Sequence, residues 1–175
     1  MPVLLHLLSD EAHVPRRAHP GDAGLDIHAN SEHTLAPGRR ARVNTGMALA
    51  VPAGYVAYVL PRSGLAARHG VTVLNAPGTV DAGYRGEIKV TLLNTDLDEA
   101  FTVRPGDRIA QLVIQPVHDV SFIRVDRLPG SARGENGHGS SGGYGDAGVG
   151  GCVPTSNMAP RTTRRPEFDV TRDED

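Results

Sequence analysis

Tryptophan is absent from the 175 residues, and aromatic side chains make up only 4% of them, which excludes a core built around large rings. The apolar content is Val, Leu, Ala and Ile instead, residues that suit thin sheets packed face to face. Cys152 is the single cysteine, so an intrachain disulfide and a structural thiolate zinc site are both excluded, and a reducing cytoplasm is the expected location. No apolar run approaches the length that crosses a bilayer, so no membrane partner is expected. The opening M-P-V-L-L-H-L-L has neither a basic start nor a small-residue cleavage site and reads as an edge strand rather than a secretion signal. A basic excess is missing too. With a formal net charge of -2 the chain has no footprint for duplex nucleic acid, and any phosphate must be held by a few local arginines and backbone amides.

What the chain does have is a rhythm of short strands and turns over a length suited to one domain. Strands are expected at Val3 to Leu8, Leu25 to Ala29, Thr34 to Leu35, Ala41 to Asn44, Met47 to Ala50, Tyr55 to Leu60, Val71 to Val73, Thr79 to Val80, Glu87 to Leu93, Phe101 to Val103, Arg108 to Pro116 and Ser121 to Arg124. The separators A-P-G-R, V-P-A-G-Y, V-R-P-G-D and L-P-G-S pair a proline of fixed φ with a glycine free to take φ > 0. This density predicts an all-β, jelly-roll-like double-sheet barrel. One short helix is expected, Ser63 to His69, with Ser63 as its cap and Gly70 closing it. From Arg133 onward glycine, then polar and acidic residues dominate, and such a composition cannot offset its ordering entropy by burial. The expected organisation is a β-barrel domain over 1–132, a glycine-rich arm over 133–143 and a disordered tail over 144–175.

Five segments carry chemistry. Asn75 to Glu87, N-A-P-G-T-V-D-A-G-Y-R-G-E, reads as a glycine-broken hairpin that presents Asp81 and Tyr84 three residues apart. A carboxylate beside a ring suits a small-molecule site where a water needs a base; an Asp that merely closes a turn is the plainer alternative. In P-R-S-G-L-A, Pro61 to Ala66, a helix start offers free N–H groups and Arg62 a planar fork for phosphate oxygens, although a capped helix with a solvated arginine fits the same letters. A-G-L-D-I-H-A, Ala23 to Ala29, carries Asp26, which as an isolated residue reads as a structural Asp bonded to nearby backbone. G-D-R-I-A-Q-L, Gly106 to Leu112, places the Gln111 amide on an otherwise apolar strand, where it requires partners. R-G-E-N-G-H-G-S-S-G, Arg133 to Gly142, joins an arginine and two hydroxyls on flexible backbone, and it lacks the Lys-Ser/Thr ending of a P-loop. The eight histidines form no metal-ligand spacing.

Together, and in this order from about Val3 to Gly143, these segments resemble the five motifs of the homotrimeric deoxyuridine triphosphatases (dUTPases). The resemblance implies a dUTP diphosphatase of the β-clip fold that releases dUMP and pyrophosphate, limiting uracil in DNA and supplying dUMP for thymidylate synthesis. It implies that Asp81 activates the water attacking the α-phosphorus and that Tyr84 lies under the deoxyribose, leaving no room for a 2′-hydroxyl. Asn75 and the backbone at Gly78, Thr79 and Val80 would satisfy the uracil edge, while Lys89 matches a substrate-contact position. Arg62, Ser63, Gly64 and Gln111 would touch the phosphates, and Arg133, His138, Gly139, Ser140 and Ser141 would close over the nucleotide. His138 stands where the family usually has a phenylalanine stacked on uracil. Mg2+ is the implied cofactor, held mainly by the triphosphate and reached by Asp26 through water. Each site is implied to combine segments of three subunits. A dCTP deaminase shares the fold but needs a glutamate where Thr91 stands, and a dUTP sensor without turnover predicts an altered Asp81, Tyr84 or Arg133, none of which is missing.

Overall fold

The computed structural model describes residues 1–131 and 134–135. They divide into a unit ending at Ile123 and a second beginning at Arg124. Among the described residues the first unit holds every strand: β1 Leu4–Leu7, β2 Leu25–His28, β3 His33–Leu35, β4 Arg40–Ala50, β5 Tyr55–Leu60, β6 Val71–Val73, β7 Gly78–Val80, β8 Glu87–Asn94, β9 Phe101–Val103 and β10 Arg108–Pro116, with one helix, α1 Ser63–His69. In the second unit the described residues form no strand or helix, and Gly134 N donates to Ser131 Oγ. The arm residues Arg133, His138, Gly139, Ser140 and Ser141, and the tail, lie outside the described residues.

The strands form two four-stranded antiparallel sheets, β1-β4-β8-β6 and β2-β10-β5-β7, and a two-stranded ribbon, β3-β9. The expected all-β class with one short helix is the fold found. Its core is one cluster, with Val43, Leu49, Val90 and Leu92 from the first sheet meeting Ile27, Ala57, Ile109 and Leu112 from the second. Alternation explains the pattern: on β8, Ile88, Val90 and Leu92 point inward while Lys89 points out.

Three sequence expectations need correction. Ala41 to Asn44 and Met47 to Ala50 are not separate strands but the two halves of β4, joined through a bulge. Between Asn44 and Ala48, β4 advances four residues while β8 moves only from Lys89 to Glu87. Gly46 takes φ +66 there, its N–H donates to Glu87 Oε1 at 2.9 Å, and Thr45 Oγ1 donates to the Ile88 carbonyl at 2.6 Å. A bulge satisfied in this way bends a strand without ending it. Its halves serve different neighbours, Arg40 to Asn44 running along β8 and Met47 to Ala50 along β1. A Cβ at Gly46 would lie 2.7 Å from the Ala12 Cβ and 2.8 Å from the Asn30 amide nitrogen. Gly46→Ala is therefore expected to destabilise the fold by about 2–4 kcal/mol in urea unfolding, combining left-handed strain with overpacking.

Ser121 to Arg124 is the second correction, for it forms no strand; Phe122 and Ile123 are 95% and 85% exposed, so its β-prone side chains find no sheet within the described residues to pair with. The third concerns α1. Its span and its close at Gly70, φ 62, are as expected, but Ser63 is the first helical residue and Arg62 the N-cap, without any side-chain cap bond. The Arg62 carbonyl accepts from Leu65 N and Ala66 N, so the turn begins one residue earlier than serine chemistry suggests.

Candidate functional site

Asn75 to Glu87 is not a simple hairpin. β6 and β8 pair with each other in the first sheet, whereas β7 between them crosses over to pair with β5 in the second, Val59 opposite Gly78. This crossing opens a cavity of about 180 Å³ between the sheets, lined by Asn75, Gly78, Thr79, Val80, Asp81, Tyr84 and Lys89, with Val59, Val73 and Val90 as apolar wall. Seven residues expected at a site therefore meet in one cavity, and a few polar groups over an apolar floor are what orients a small ligand. The peptide between Ala76 and Pro77 is cis.

The turn after β7 is held by its own backbone. Tyr84 N donates to the Asp81 carbonyl at 3.0 Å, and the Arg85 guanidinium spans the Ala82 and Tyr84 carbonyls at 2.6 and 2.7 Å. Tyr84 folds back so that its hydroxyl donates to the Glu87 carbonyl at 2.9 Å, leaving the residue 46% exposed, enough for a ligand to stack on it. Asp81 is exposed. The Lys89 ammonium lies 3.4 Å from Glu87 Oε2, so the same carboxylate faces both a pocket cation and the β4 bulge.

A second cluster forms on the other side of the second sheet. Asp26, only 5% exposed, accepts from Arg62 Nε at 3.1 Å and from an Arg108 terminal nitrogen at 3.2 Å; Arg62 also donates to the Arg108 carbonyl. Strict alternation along β10 would put Arg108 and Gln111 on opposite faces. A register break between Arg108 and Ala110 removes the conflict, setting Arg108 opposite His28 and Gln111 opposite Asp26, so all four side chains share a face. Gln111 is half-buried, and a Cβ at Gly24 would come within 3.0 Å of its amide carbon. Ser63 and Gly64 follow Arg62 into α1, where a Cβ at Gly64 would lie 3.1 Å from an Arg68 guanidinium nitrogen.

His28 extends this cluster by stacking on His13, ring centroids 4.6 Å apart, and its Nδ1 is buried without a partner among the described residues. Burial, then the nearby His13, hold the imidazole below its ordinary pKa, against the pull of Asp26. The folded chain thus refuses a proton that the unfolded chain accepts below about pH 6.5. The stability from this group is complete above that pH and is lost as pH falls through the folded value. The thermal midpoint is expected to drop as pH falls below about 6.5, and His28→Asn to shrink that drop.

The sequence did not single out Arg108, Glu87, Gly86, His13 or His28. Arg108 stood inside a quoted motif, but only the register break puts it beside Asp26. No group of three or more His, Cys, Asp or Glu suited to a metal occurs among the described residues. Asp26 offers a carboxylate to a magnesium ion, and it already faces two guanidinium groups. It fits an outer contact, with most ligands coming from water and bound phosphates.

A family model for dUTPase matches residues 10–142. Among curated relatives, the deoxyuridine 5′-triphosphate nucleotidohydrolase of Thermobifida fusca is 59% identical over 142 residues, 81% of this chain and 79% of that protein. That of Leifsonia xyli is 58% identical over 129 residues, 74% of this chain and 85% of that protein. Among solved structures, the dUTPase of Staphylococcus bacteriophage 80alpha with dUPNHPP superposes with a TM-score of 0.75 at 30% identity, covering 81% of this chain and 98% of that one. A variant of the phage phi11 dUTPase of S. aureus, described with a coordinated structural Mg(II) ion, gives 0.69 at 26% identity over 73% and 99%.

Proposed function

This chain belongs to the dUTPase family, and from that premise we propose that it hydrolyses dUTP to dUMP and pyrophosphate with Asp81 as the base. The observation that carries this reading is the cavity between β7 and β8, where Asp81, Tyr84 and Asn75 line one space. Asn75 and the backbone of β7 meet the uracil edge, and a pocket whose polar groups match uracil penalises cytosine by leaving them unpaired. Tyr84 lies against the deoxyribose and excludes a 2′-hydroxyl. Asp81 orients a water in line with the α-phosphorus; a bond forms from the water oxygen to phosphorus, the bond to the bridging oxygen breaks, pyrophosphate leaves with the electron pair and the water's proton passes to Asp81. Lys89 adds positive charge at the pocket wall.

The phosphates fall to Arg62, Ser63, Gly64 and Gln111, beside Arg108 and Asp26. A magnesium ion, when bound, would neutralise charge on the triphosphate, and Asp26 is the residue that would hold it, through water. β2, which carries Asp26, and β7 are opposite edges of one sheet, with β10 and β5 between them, so Asp26 stands roughly 14 Å from the β7 edge at ordinary strand spacing. That separation supports a homotrimer in which one subunit's cavity faces a neighbour's Arg62 and Gln111; by the family's pattern, residues 133–143, with Arg133, His138, Gly139, Ser140 and Ser141, would close the site as an arm beyond the 1–132 domain. The enzyme acts in the cytoplasm, keeping uracil from DNA and feeding dUMP to thymidylate synthesis.

Pyrophosphate release measured with dUTP, UTP, dCTP and dTTP is expected to favour dUTP strongly, without ammonia release from dCTP; comparable rates on dCTP would overturn the assignment. Sedimentation is expected to show a trimer, and an active monomer would refute the shared site.

A further inference from the structure

Within the turn that carries the cavity's acid and ring, two glycines three residues apart behave oppositely. A Cβ added to Gly83 would meet nothing within 4 Å, whereas one added to Gly86 would lie 2.5 Å from Tyr84 Oη, 2.7 Å from Cζ and 3.1 Å from Cε2. Gly86 does not have φ in the left-handed region, so its backbone would accept alanine; the constraint is the tyrosine ring lying over it. The same ring is tethered at its far end by the hydrogen bond from its hydroxyl to the Glu87 carbonyl. At its near end, the Tyr84 N–H holds the Asp81 carbonyl and the Arg85 guanidinium spans the turn. The ring is thus fixed at three points, and only at Gly86 does the contact come through the absence of a side chain.

We infer that Gly86, with the main-chain carbonyl of Glu87, is the seat of the Tyr84 ring and determines how closely the pocket excludes a 2′-hydroxyl. The inference rests on the reading that Tyr84 faces the sugar. A methyl at Gly86 requires the ring to retreat by about 1 Å to reach ordinary contact near 3.5 Å, which also breaks the bond to Glu87. Discrimination by exclusion depends on how closely the ring approaches the sugar, and a retreat of this size opens that contact. dUTP then loses a fit that UTP never had, and the two substrates converge. Gly86 acts only through Tyr84, so it is a positioning residue.

The test compares kcat/KM for dUTP and UTP in Gly86→Ala, Gly83→Ala, Tyr84→Ala and the double variant Tyr84→Ala/Gly86→Ala, with thermal midpoints for each. Gly86→Ala is expected to lower the dUTP/UTP ratio by about tenfold or more, and Gly83→Ala to leave it within about twofold of wild type. Adding Gly86→Ala to Tyr84→Ala is expected to change neither the ratio nor the midpoint further, since the ring it would strike is gone. Should Gly86→Ala fail to fold while the double variant folds, the steric coupling to Tyr84 is upheld. If Tyr84→Ala collapses the ratio and Gly86→Ala does not, the seat is wrong while the sugar reading stands. If Tyr84→Ala leaves the ratio unchanged, both fall.

Discussion

Replacing Asp81 with alanine is expected to abolish pyrophosphate release from dUTP, lowering kcat by roughly a thousandfold or more, as removal of a positioned base and its water does. Asp81 is exposed at the mouth of the cavity and contributes its carbonyl, not its carboxylate, to the turn through Tyr84 N. Its side chain therefore carries little of the fold, and the thermal midpoint is expected to stay within about 2 °C of wild type, as for surface substitutions away from special features. Nucleotide binding survives, because Asn75, Tyr84 and the β7 backbone are untouched, so a non-hydrolysable dUTP analogue should bind with near wild-type affinity. Asp81→Asn keeps the shape and cannot take a proton, and it should be as inactive as the alanine variant. Turnover retained by either protein would remove Asp81 from the mechanism.

Asp26→Ala is expected to have the second largest effect, and unlike the first it strikes both stability and turnover. The carboxylate is almost fully buried, and two guanidinium groups converge on it. Deleting one partner of a buried ion pair costs about 3–5 kcal/mol. Arg62 and Arg108 keep side-chain exposures of 23% and 49%, so water relieves part of that loss and roughly 2–3 kcal/mol remains. Freed of its anchor, Arg62 no longer holds one fork position for phosphate, and a displacement of about 1 Å there reduces turnover by roughly a hundredfold. Urea unfolding and kcat measured on Asp26→Ala and Asp26→Asn separate the two losses. The asparagine should recover part of the stability, through one remaining acceptor for Arg62 Nε, and little of the activity. Unchanged stability in Asp26→Ala would show that the cluster does not tie β2 to α1 and β10.

Much of this was legible in the residues. Short strands at regular spacing, valine and isoleucine in place of large rings, and glycine after a short helix are local signals, and β5, β6, β9, β10 and α1 lie where those signals put them. The groups that meet in the cavity were legible for another reason: Asn75, Asp81 and Tyr84 sit in one compact segment whose spacing matches a family. Local signals failed where a neighbour decided. Gly46 reads as a break between strands because its partner, the Glu87 side chain, is forty-one residues away. The β-prone run from Ser121 to Arg124 pairs with nothing among the described residues, and propensity alone does not supply a partner.

By itself, then, the sequence determined the class of the fold, the helix, and the identity of the groups around the cavity, since periodicity, turn residues and functional groups are properties of short stretches of chain. Tertiary structure decided two things that no short stretch contains. It sent β7 to a different sheet from β6 and β8, which is what opens the cavity. It slipped the register at Arg108, bringing a second guanidinium onto Asp26. Each of these depends on which strand lies beside which, and pairing is chosen by the burial and hydrogen bonding of the whole chain at once.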